Sequence, residues 1–172
     1  MTPAELFAYL DRLGIAHTTV RHQPLFTVEE SQSLRGMIPG GHTKNLFLKD
    51  KKSALYLVTA LEDAAIELKS LHRLLGATGR FSFGSSEQML ENLGVTPGSV
   101  TAFGAINDTA GRITVVLDAG LMAHETINAH PLIKRLPASI PQAKGSDAIS
   151  VNVLRGAFKF SKRGNGMTTL VT

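Results

Sequence analysis

The sequence of 172 residues contains no cysteine. This absence excludes thiol catalysis, disulfides and cysteine-ligated zinc, and it fits a reducing cytoplasm. Long hydrophobic runs are also missing: the longest, at 55–58 and 113–117, have the length of a strand, whereas a membrane span needs about 18 residues. The first residues lack the charged-then-apolar layout of a signal peptide. We therefore expect one cytoplasmic domain over 1–172, with no membrane partner.

Positive charge is concentrated in the last quarter of the chain. Residues 132–172 carry seven basic side chains and one acidic side chain, a net charge of +6, whereas residues 1–131 carry 11 basic and 13 acidic side chains, a net charge of −2. A basic segment on a near-neutral body suits a polyanion such as RNA. The alternative, which the sequence leaves open, is that these side chains only solvate an irregular end.

Helix and strand signals alternate irregularly along the chain. A helix is predicted to start at Thr2, because Pro3 suits the first helical position and Glu5 completes a capping box with Thr2, and to end at Gly14. The leucines at 6, 10 and 13 would form its apolar stripe. Further helices are predicted over 27–34, 64–75 and 85–93, and strands over 15–20, 45–49, 55–60, 113–117 and 125–129, of which 45–49 and 55–60 form a hairpin. The pattern predicts an α+β fold with a mixed, mostly antiparallel sheet and flanking helices.

Common catalytic motifs are missing. His124-Glu125 and His130 are two residues too far apart for the zinc-binding helix in which both histidines share one face. The sequence also lacks a G-x-S-x-G elbow and a P-loop lysine motif. We expect neither a metal nor a cofactor.

Two short segments carry polar side chains at the ends of predicted strands, where a binding or catalytic site could form. Lys44 and Asn45 follow a Gly-rich loop at the mouth of an apolar strand, and a lysine there is unfavourable unless it has a partner or a substrate anion. The alternative is that Lys44 extends into solvent at the strand end. His130 precedes Pro131, which favours an extended conformation and gives the imidazole a fixed direction. The alternative is a structural histidine in a turn.

Three motifs carry a family resemblance. T-K-N-L-F-L-K-D at 43–50, G-V-T-P-G-S-V-T-A-F-G at 94–104 with I-N-D at 106–108, and I-N-A-H-P at 127–131 closely resemble signatures of the YbaK/prolyl-tRNA-synthetase-associated editing family. They are most similar to its free-standing branch, which includes enzymes that clear alanine from tRNA(Pro). The resemblance covers roughly residues 1–131, whereas 132–172 matches poorly. It implies a YbaK-like, partly barrel-shaped sheet.

The resemblance also implies a catalytic group. The substrate would be an aminoacyl ester on the terminal ribose of tRNA, and Lys44 would supply positive charge near the terminal phosphate or the ester carbonyl. Asn45 would bind the ribose or the amino acid, and His130 would orient the terminal nucleotide or the water. No strong general base is present, so a substrate hydroxyl would help to activate the water.

A second group of residues would bind the substrate, with backbone N–H groups of 98–100 as oxyanion donors. This group consists of Thr43, Gly98, Ser99, Val100, Phe103 and Ala129.

The resemblance thus predicts an aminoacyl-tRNA deacylase with tRNA as its partner. Ala-tRNA(Pro) is the leading substrate, and cysteine and serine remain alternatives for the amino acid. An association with prolyl-tRNA synthetase is a further expectation, and both a monomer and a homodimer stay open. Two other functions compete with this prediction: a non-catalytic tRNA- or nucleic-acid-binding module of the same fold, and an acyl-hydrolase or transferase that acts on a small molecule.

Overall fold

A computed structural model describes residues 2–22, 38–132, 148–154 and 169–171. In these ranges the helices are α1 (Pro3–Arg12), α2 (Leu68–Leu74), α3 (Ser86–Leu93), α4 (Ala119–Met122) and a 3-10 helix (Ala102–Asn107). The strands are β1 (His17–His22), β2 (Gly41–Lys49), β3 (Leu55–Leu61), β4 (Ser82–Phe83), β5 (Ile113–Asp118), β6 (Thr126–Ala129), β7 (Ala148–Leu154) and β8 (Thr169–Val171).

The strands form one mixed sheet in the order β1-β7-β6-β2-β3-β5-β8, and β4 adds to β2. Four pairs are antiparallel (β1 with β7, β7 with β6, β2 with β3, β2 with β4). Three are parallel (β6 with β2, β3 with β5, β5 with β8). The described strands follow an open path that ends at β1 and β8. The predictions of an α+β fold and of a mixed, mostly antiparallel sheet are confirmed.

Both faces of the central strands are buried. Side chains alternate along a strand, so Phe47 and Leu57 leave on one face, where they share an apolar cluster with Leu6 of α1. Leu48 leaves on the other face, where its cluster includes Leu71 of α2. We call these two sides the α1 face and the α2 face. Full burial of such a side chain contributes about 1.5–3 kcal/mol, so both clusters fix the position of β2.

The N-terminal helix follows its sequence signals. The Thr2 hydroxyl accepts a hydrogen bond from the backbone N–H of Glu5, and the Glu5 carboxylate accepts one from the backbone N–H of Thr2. Gly14 has a φ of 66°, as a residue just past a helix end often does. The predicted stripe is wrong at Leu13, which is 53% exposed, because Leu13 is the C-cap and the chain leaves the helix there.

Other differences from the predictions have local causes. The helix predicted over 64–75 begins only at Leu68, with the Glu67 side chain accepting a hydrogen bond from the N–H of Lys69. Ile66 still packs on the α2 face from an irregular segment, so its spacing signalled burial and not a helix. β2 begins at Gly41 and not at Asn45, because its first residues pair with β6. The helix predicted over 27–34 lies outside the described residues.

Candidate active site

Lys44 and Asn45 leave β2 on opposite faces. In the hairpin register Lys44 pairs with Ala60 and Asn45 pairs with Thr59. Asn45 shares the α1 face with Phe47, and its Oδ1 accepts a hydrogen bond of 2.8 Å from the hydroxyl of Thr59, which is fully buried. Lys44 shares the α2 face with Leu48. The two polar side chains therefore lie on different faces of the same strand.

The ammonium group of Lys44 has a partner in the protein. Lys44 is half-buried, and its Nζ donates a hydrogen bond to the backbone carbonyl of Ala64, in the segment between β3 and α2. A carbonyl neutralises no charge, and an ammonium has three N–H donors. The contact with Ala64 therefore fixes the position of the ammonium group without pairing it with a negative charge.

Within the described ranges, the edge of β2 that faces away from β3 is paired at its two ends only. Gly41 and His42 pair with β6, and Leu48 and Lys49 pair with β4. The N–H of Gly84 also donates to the carbonyl of Phe47. Residues 44–46 lie between these contacts and have no strand partner on that edge among the residues that the structure describes. We call this interval the β2 gap; it includes Lys44 and Asn45.

The end of β6 lies beside the start of β2. Gly41 pairs with Ile127 and His42 with Asn128 in a parallel register. If the register is continued, Ala129 and His130 lie alongside Thr43 and Lys44. The hydroxyl of Thr43 donates a hydrogen bond of 2.9 Å to the carbonyl of Asn128. The first and third sequence motifs are thus joined at one end of the β2 gap.

The loop between α3 and the 3-10 helix is tied to the same place. Thr96 to Ser99 form a turn in which the N–H of Ser99 donates to the carbonyl of Thr96 at 3.0 Å, with Pro97 followed by Gly98 at a φ of 82°. This is the residue pattern of a type II turn. The hydroxyl of Thr101, two residues later, donates a hydrogen bond of 2.6 Å to the carbonyl of His130. All three motifs therefore meet near the end of β6.

The predicted substrate-binding residues differ in burial. Phe103 and Ala129 are each 3% exposed and belong to the core on the α1 face. Val100 is partly buried against that core, whereas Gly98 and His130 are exposed.

The backbone donors of the loop are only partly available for an oxyanion. The N–H of Ser99 is already used by Thr96. The N–H groups of Gly98 and Val100 donate no hydrogen bond to any residue that the structure describes.

Sequence reasoning missed three contacts in this region. Thr101 and Asn128 lie inside the quoted motifs, so their tethering role was within reach of the sequence, whereas nothing in the sequence marks Ala64. Asn128 also donates from its side-chain amide to the carbonyl of Pro39 at 3.0 Å, which anchors the chain just before β2.

The turn of the β2–β3 hairpin contains a buried carboxylate. Asp50 accepts hydrogen bonds of 2.8–2.9 Å from the backbone N–H groups of Lys52, Ala54 and Thr78. Burial alone would raise the pKa of Asp50, but the three hydrogen bonds outweigh it and hold the pKa below its usual value. The ionised carboxylate joins the hairpin turn to the chain after α2.

The described residues form neither a metal-binding cluster nor a membrane-spanning helix. No group of three or more His, Asp or Glu side chains in the described ranges could hold a metal ion. No described helix is long and apolar enough to cross a membrane.

This chain is similar to several known proteins, and the matches agree with one another on the family. Residues 22–143 match the family described as the aminoacyl-tRNA editing domain. The prolyl-tRNA editing protein ProX of Acetoanaerobium sticklandii is 36% identical over 127 residues, which are 73% of this chain and 77% of that protein. The prolyl-tRNA synthetase associated domain-containing protein 1 of Danio rerio is 38% identical over 141 residues, 81% of this chain and 76% of that protein.

A solved structure shares the fold. The crystal structure of a candidate trans-editing enzyme for prolyl tRNA synthetase superposes with a TM-score of 0.63 and covers 97% of this chain and 94% of that chain. The two sequences are only 16% identical, so this likeness concerns the fold alone.

Proposed function

Since the chain belongs to the aminoacyl-tRNA editing domain family and is an aminoacyl-tRNA deacylase, we propose that it acts in trans on mischarged tRNA(Pro), with alanine as the leading amino acid. Two of its relatives carry prolyl-tRNA or prolyl-tRNA synthetase in their names, which supports tRNA(Pro) as the nucleic acid. The preference for alanine comes from the resemblance of the three motifs to the free-standing branch of the family.

The observation that carries the proposal is the meeting of the three motifs at the β2 gap. Hydrogen bonds from Thr43 to Asn128 and from Thr101 to His130 hold the motifs together. Lys44 and Asn45 leave β2 on opposite faces, so a substrate that contacts both must lie across the edge of the strand. The β2 gap is where no described strand blocks that edge.

Lys44 supplies positive charge to the substrate in this proposal. Its hydrogen bond to Ala64 uses one N–H donor and leaves two for the terminal phosphate or the ester carbonyl. Hydrolysis of the ester places negative charge on the carbonyl oxygen, and a positioned cation stabilises that charge. The loss of one such contact typically slows catalysis by about 10²–10³-fold.

Asn45 and His130 orient the substrate. Asn45 uses its Oδ1 to accept from Thr59, and its N–H2 group has no partner among the described residues, so we assign that group to the ribose or the amino acid. His130 is exposed, while the Thr101 hydroxyl fixes its backbone carbonyl. We assign its imidazole to the terminal nucleotide or the attacking water.

Discrimination between amino acids should follow the logic of a steric sieve. A pocket for a small side chain excludes a larger one by steric clash, whereas binding alone distinguishes one methylene by only about 10–200-fold. Alanine is smaller than proline, so a site that admits alanine can reject the correctly charged tRNA(Pro). Cysteine and serine are also small, and they are the alternatives to test.

A deacylation panel tests the proposal. The purified protein is mixed with tRNA(Pro) charged with alanine, cysteine, serine or proline, and with Ala-tRNA(Ala). We expect fastest release from Ala-tRNA(Pro) and none from Pro-tRNA(Pro). Binding of tRNA without release of any amino acid would favour the non-catalytic module, and turnover of a small acyl ester without tRNA would favour a small-molecule hydrolase.

Two further expectations belong to this proposal. We place the enzyme in the cytoplasm, where its substrate is made, and we expect association with prolyl-tRNA synthetase. Co-elution of the two proteins with tRNA(Pro) in size-exclusion chromatography checks the association and gives the oligomeric state.

A further inference from the structure

Ser99 has a buried hydroxyl group without a hydrogen-bond partner. The residue is 6% exposed, and its Oγ contacts neither solvent nor any hydrogen-bonding group of the described chain. A buried polar group without a partner costs about 1–3 kcal/mol, and more than about 90% of such groups in folded proteins have one. Alanine would fill almost the same space without this cost. The serine at this position therefore calls for a partner beyond the described residues, and a bound substrate can supply it.

The fold holds Ser99 close to the three motifs. Its backbone N–H is engaged by Thr96 in the turn, which fixes the residue from one side. Thr101 is two residues away, so its Cα lies within about 7 Å of that of Ser99. The Thr101 hydroxyl is 2.6 Å from the carbonyl of His130, where the buried β6 gives way to the surface. Ser99 is thus held near the point where the chain passes from the buried Ala129 to the exposed His130.

We propose that the Ser99 hydroxyl is a catalytic hydrogen-bond donor to the ester carbonyl oxygen of the aminoacyl-tRNA. This assignment rests on the proposed function. The sequence suggested backbone N–H groups of 98–100 for this role, but the N–H of Ser99 is occupied, and the side chain is the donor that remains at this residue. A hydroxyl can rotate about its Cβ–Oγ bond to meet an acceptor.

The chemistry that this donor assists is the hydrolysis of an ester. The oxygen of a water molecule forms a bond to the carbonyl carbon, and the carbonyl oxygen takes up the negative charge. When the tetrahedral intermediate collapses, the bond to the ribose oxygen breaks and that oxygen takes the proton lost by the water. The products are the free amino acid and tRNA. A donor that meets the charge only in the transition state raises the turnover rate and leaves substrate affinity unchanged.

Ser99→Ala tests the assignment by single-turnover deacylation of Ala-tRNA(Pro). We expect the rate at saturating enzyme to fall by about 10-fold to 10³-fold, with unchanged half-saturation. The melting temperature should stay the same or rise, because an unpaired buried hydroxyl has been removed. Ser82→Ala, which changes an exposed serine of β4, is the matched control and should keep the wild-type rate.

Several outcomes would overturn the assignment. The first is a deacylation rate of Ser99→Ala within about twofold of wild type. The second is a change in the enzyme concentration at half-saturation without a change in the saturated rate. The third is a loss of rate together with a lower melting temperature. Ser99→Cys is a second variant that retains the side-chain shape with a weak S–H donor, and a wild-type rate for it would also overturn the proposal. If wild-type protein hydrolyses no mischarged tRNA(Pro), the proposed function fails; if it is active and Ser99→Ala is equally fast, only the role of Ser99 fails.

Discussion

Lys44 and Asn45 are adjacent in the sequence, yet each is held by a different part of the protein. Lys44 donates to the carbonyl of Ala64 on the α2 face, and Asn45 accepts from the buried hydroxyl of Thr59 on the α1 face. This arrangement places two different polar groups on opposite faces of the strand within the β2 gap. A substrate that lies across the gap can contact both side chains. Because the two side chains have different partners in the protein, their substitutions should have different effects.

Replacement of Lys44 by alanine should slow deacylation by about 10²-fold or more, on the scale of losing one electrostatic contact in the transition state. The domain should remain folded, because only one side-chain hydrogen bond to a carbonyl is lost. Single-turnover rates and circular dichroism check both parts. Lys52→Ala in the exposed hairpin turn is the control for a lost positive charge. A near-normal saturated rate for Lys44→Ala would mean that this side chain only extends into solvent.

Because Asn45 and Thr59 are hydrogen-bonded, their substitutions should have coupled effects on the free energy of unfolding. Their effects on the deacylation rate should not be coupled. Asn45→Ala leaves the buried hydroxyl of Thr59 unpaired and should lower the free energy of unfolding by about 1–3 kcal/mol. The double variant that adds Thr59→Val to Asn45→Ala lacks the unpaired hydroxyl and should regain part of the lost free energy of unfolding. A double-mutant cycle in urea measures the coupling.

The deacylation rates of the same variants test the substrate contact of Asn45. Thr59→Val alone should keep the wild-type rate, whereas both variants that lack the Asn45 amide should be slow. Equal rates for all four proteins would leave Asn45 with a structural role alone.

Asp50 should make stability depend on acid pH. Its pKa in the folded protein lies below the ordinary value of about 4, so its stabilising contribution is complete above that value and is lost as pH falls through the folded pKa. Asp50→Asn should therefore be less stable at pH 7, and the difference should shrink below about pH 4. Urea unfolding at several pH values measures this, with the exposed Asp63→Asn as control. A difference that stays constant with pH would contradict it.

The basic segment after Pro131 should contribute to tRNA affinity more than to chemistry. Its charged residues lie outside the described residues, so this prediction rests on the net charge of +6 over 132–172. Neutralising Lys134, Arg135 and Lys144 together should weaken binding at low salt. Each lost phosphate contact should flatten the plot of log affinity against log salt by about 0.7–0.9, while the rate at saturating tRNA stays near wild type. Unchanged affinity with a lost saturated rate would make the segment part of the active site.

Local signals were readable from the sequence because they involve neighbouring residues. The capping box of Thr2 with Glu5 forms as predicted, and the helix predicted from residue 85 begins with a capping box of Ser85 with Gln88. The hairpin of β2 and β3 was also predicted, because its strands are close in sequence.

Long-range pairing was not readable. β7 inserts between β1 and β6 from beyond residues 22–143, which match the family, and no local pattern specifies a partner so far along the chain. The contact of Lys44 with Ala64 spans 20 residues, and the tether of Thr101 to His130 spans 29. The motifs indicated the candidate site residues, whereas the hydrogen-bond partners of those residues depend on the fold.

The most direct test of the account is the release of alanine from Ala-tRNA(Pro) by the wild-type protein, followed over time with and without a metal chelator. We expect rapid release at the same rate under both conditions, and no release of proline from Pro-tRNA(Pro) under either. Absence of any release, or release that stops with the chelator and returns with zinc, would contradict a metal-free deacylase built around Lys44 and the β2 gap.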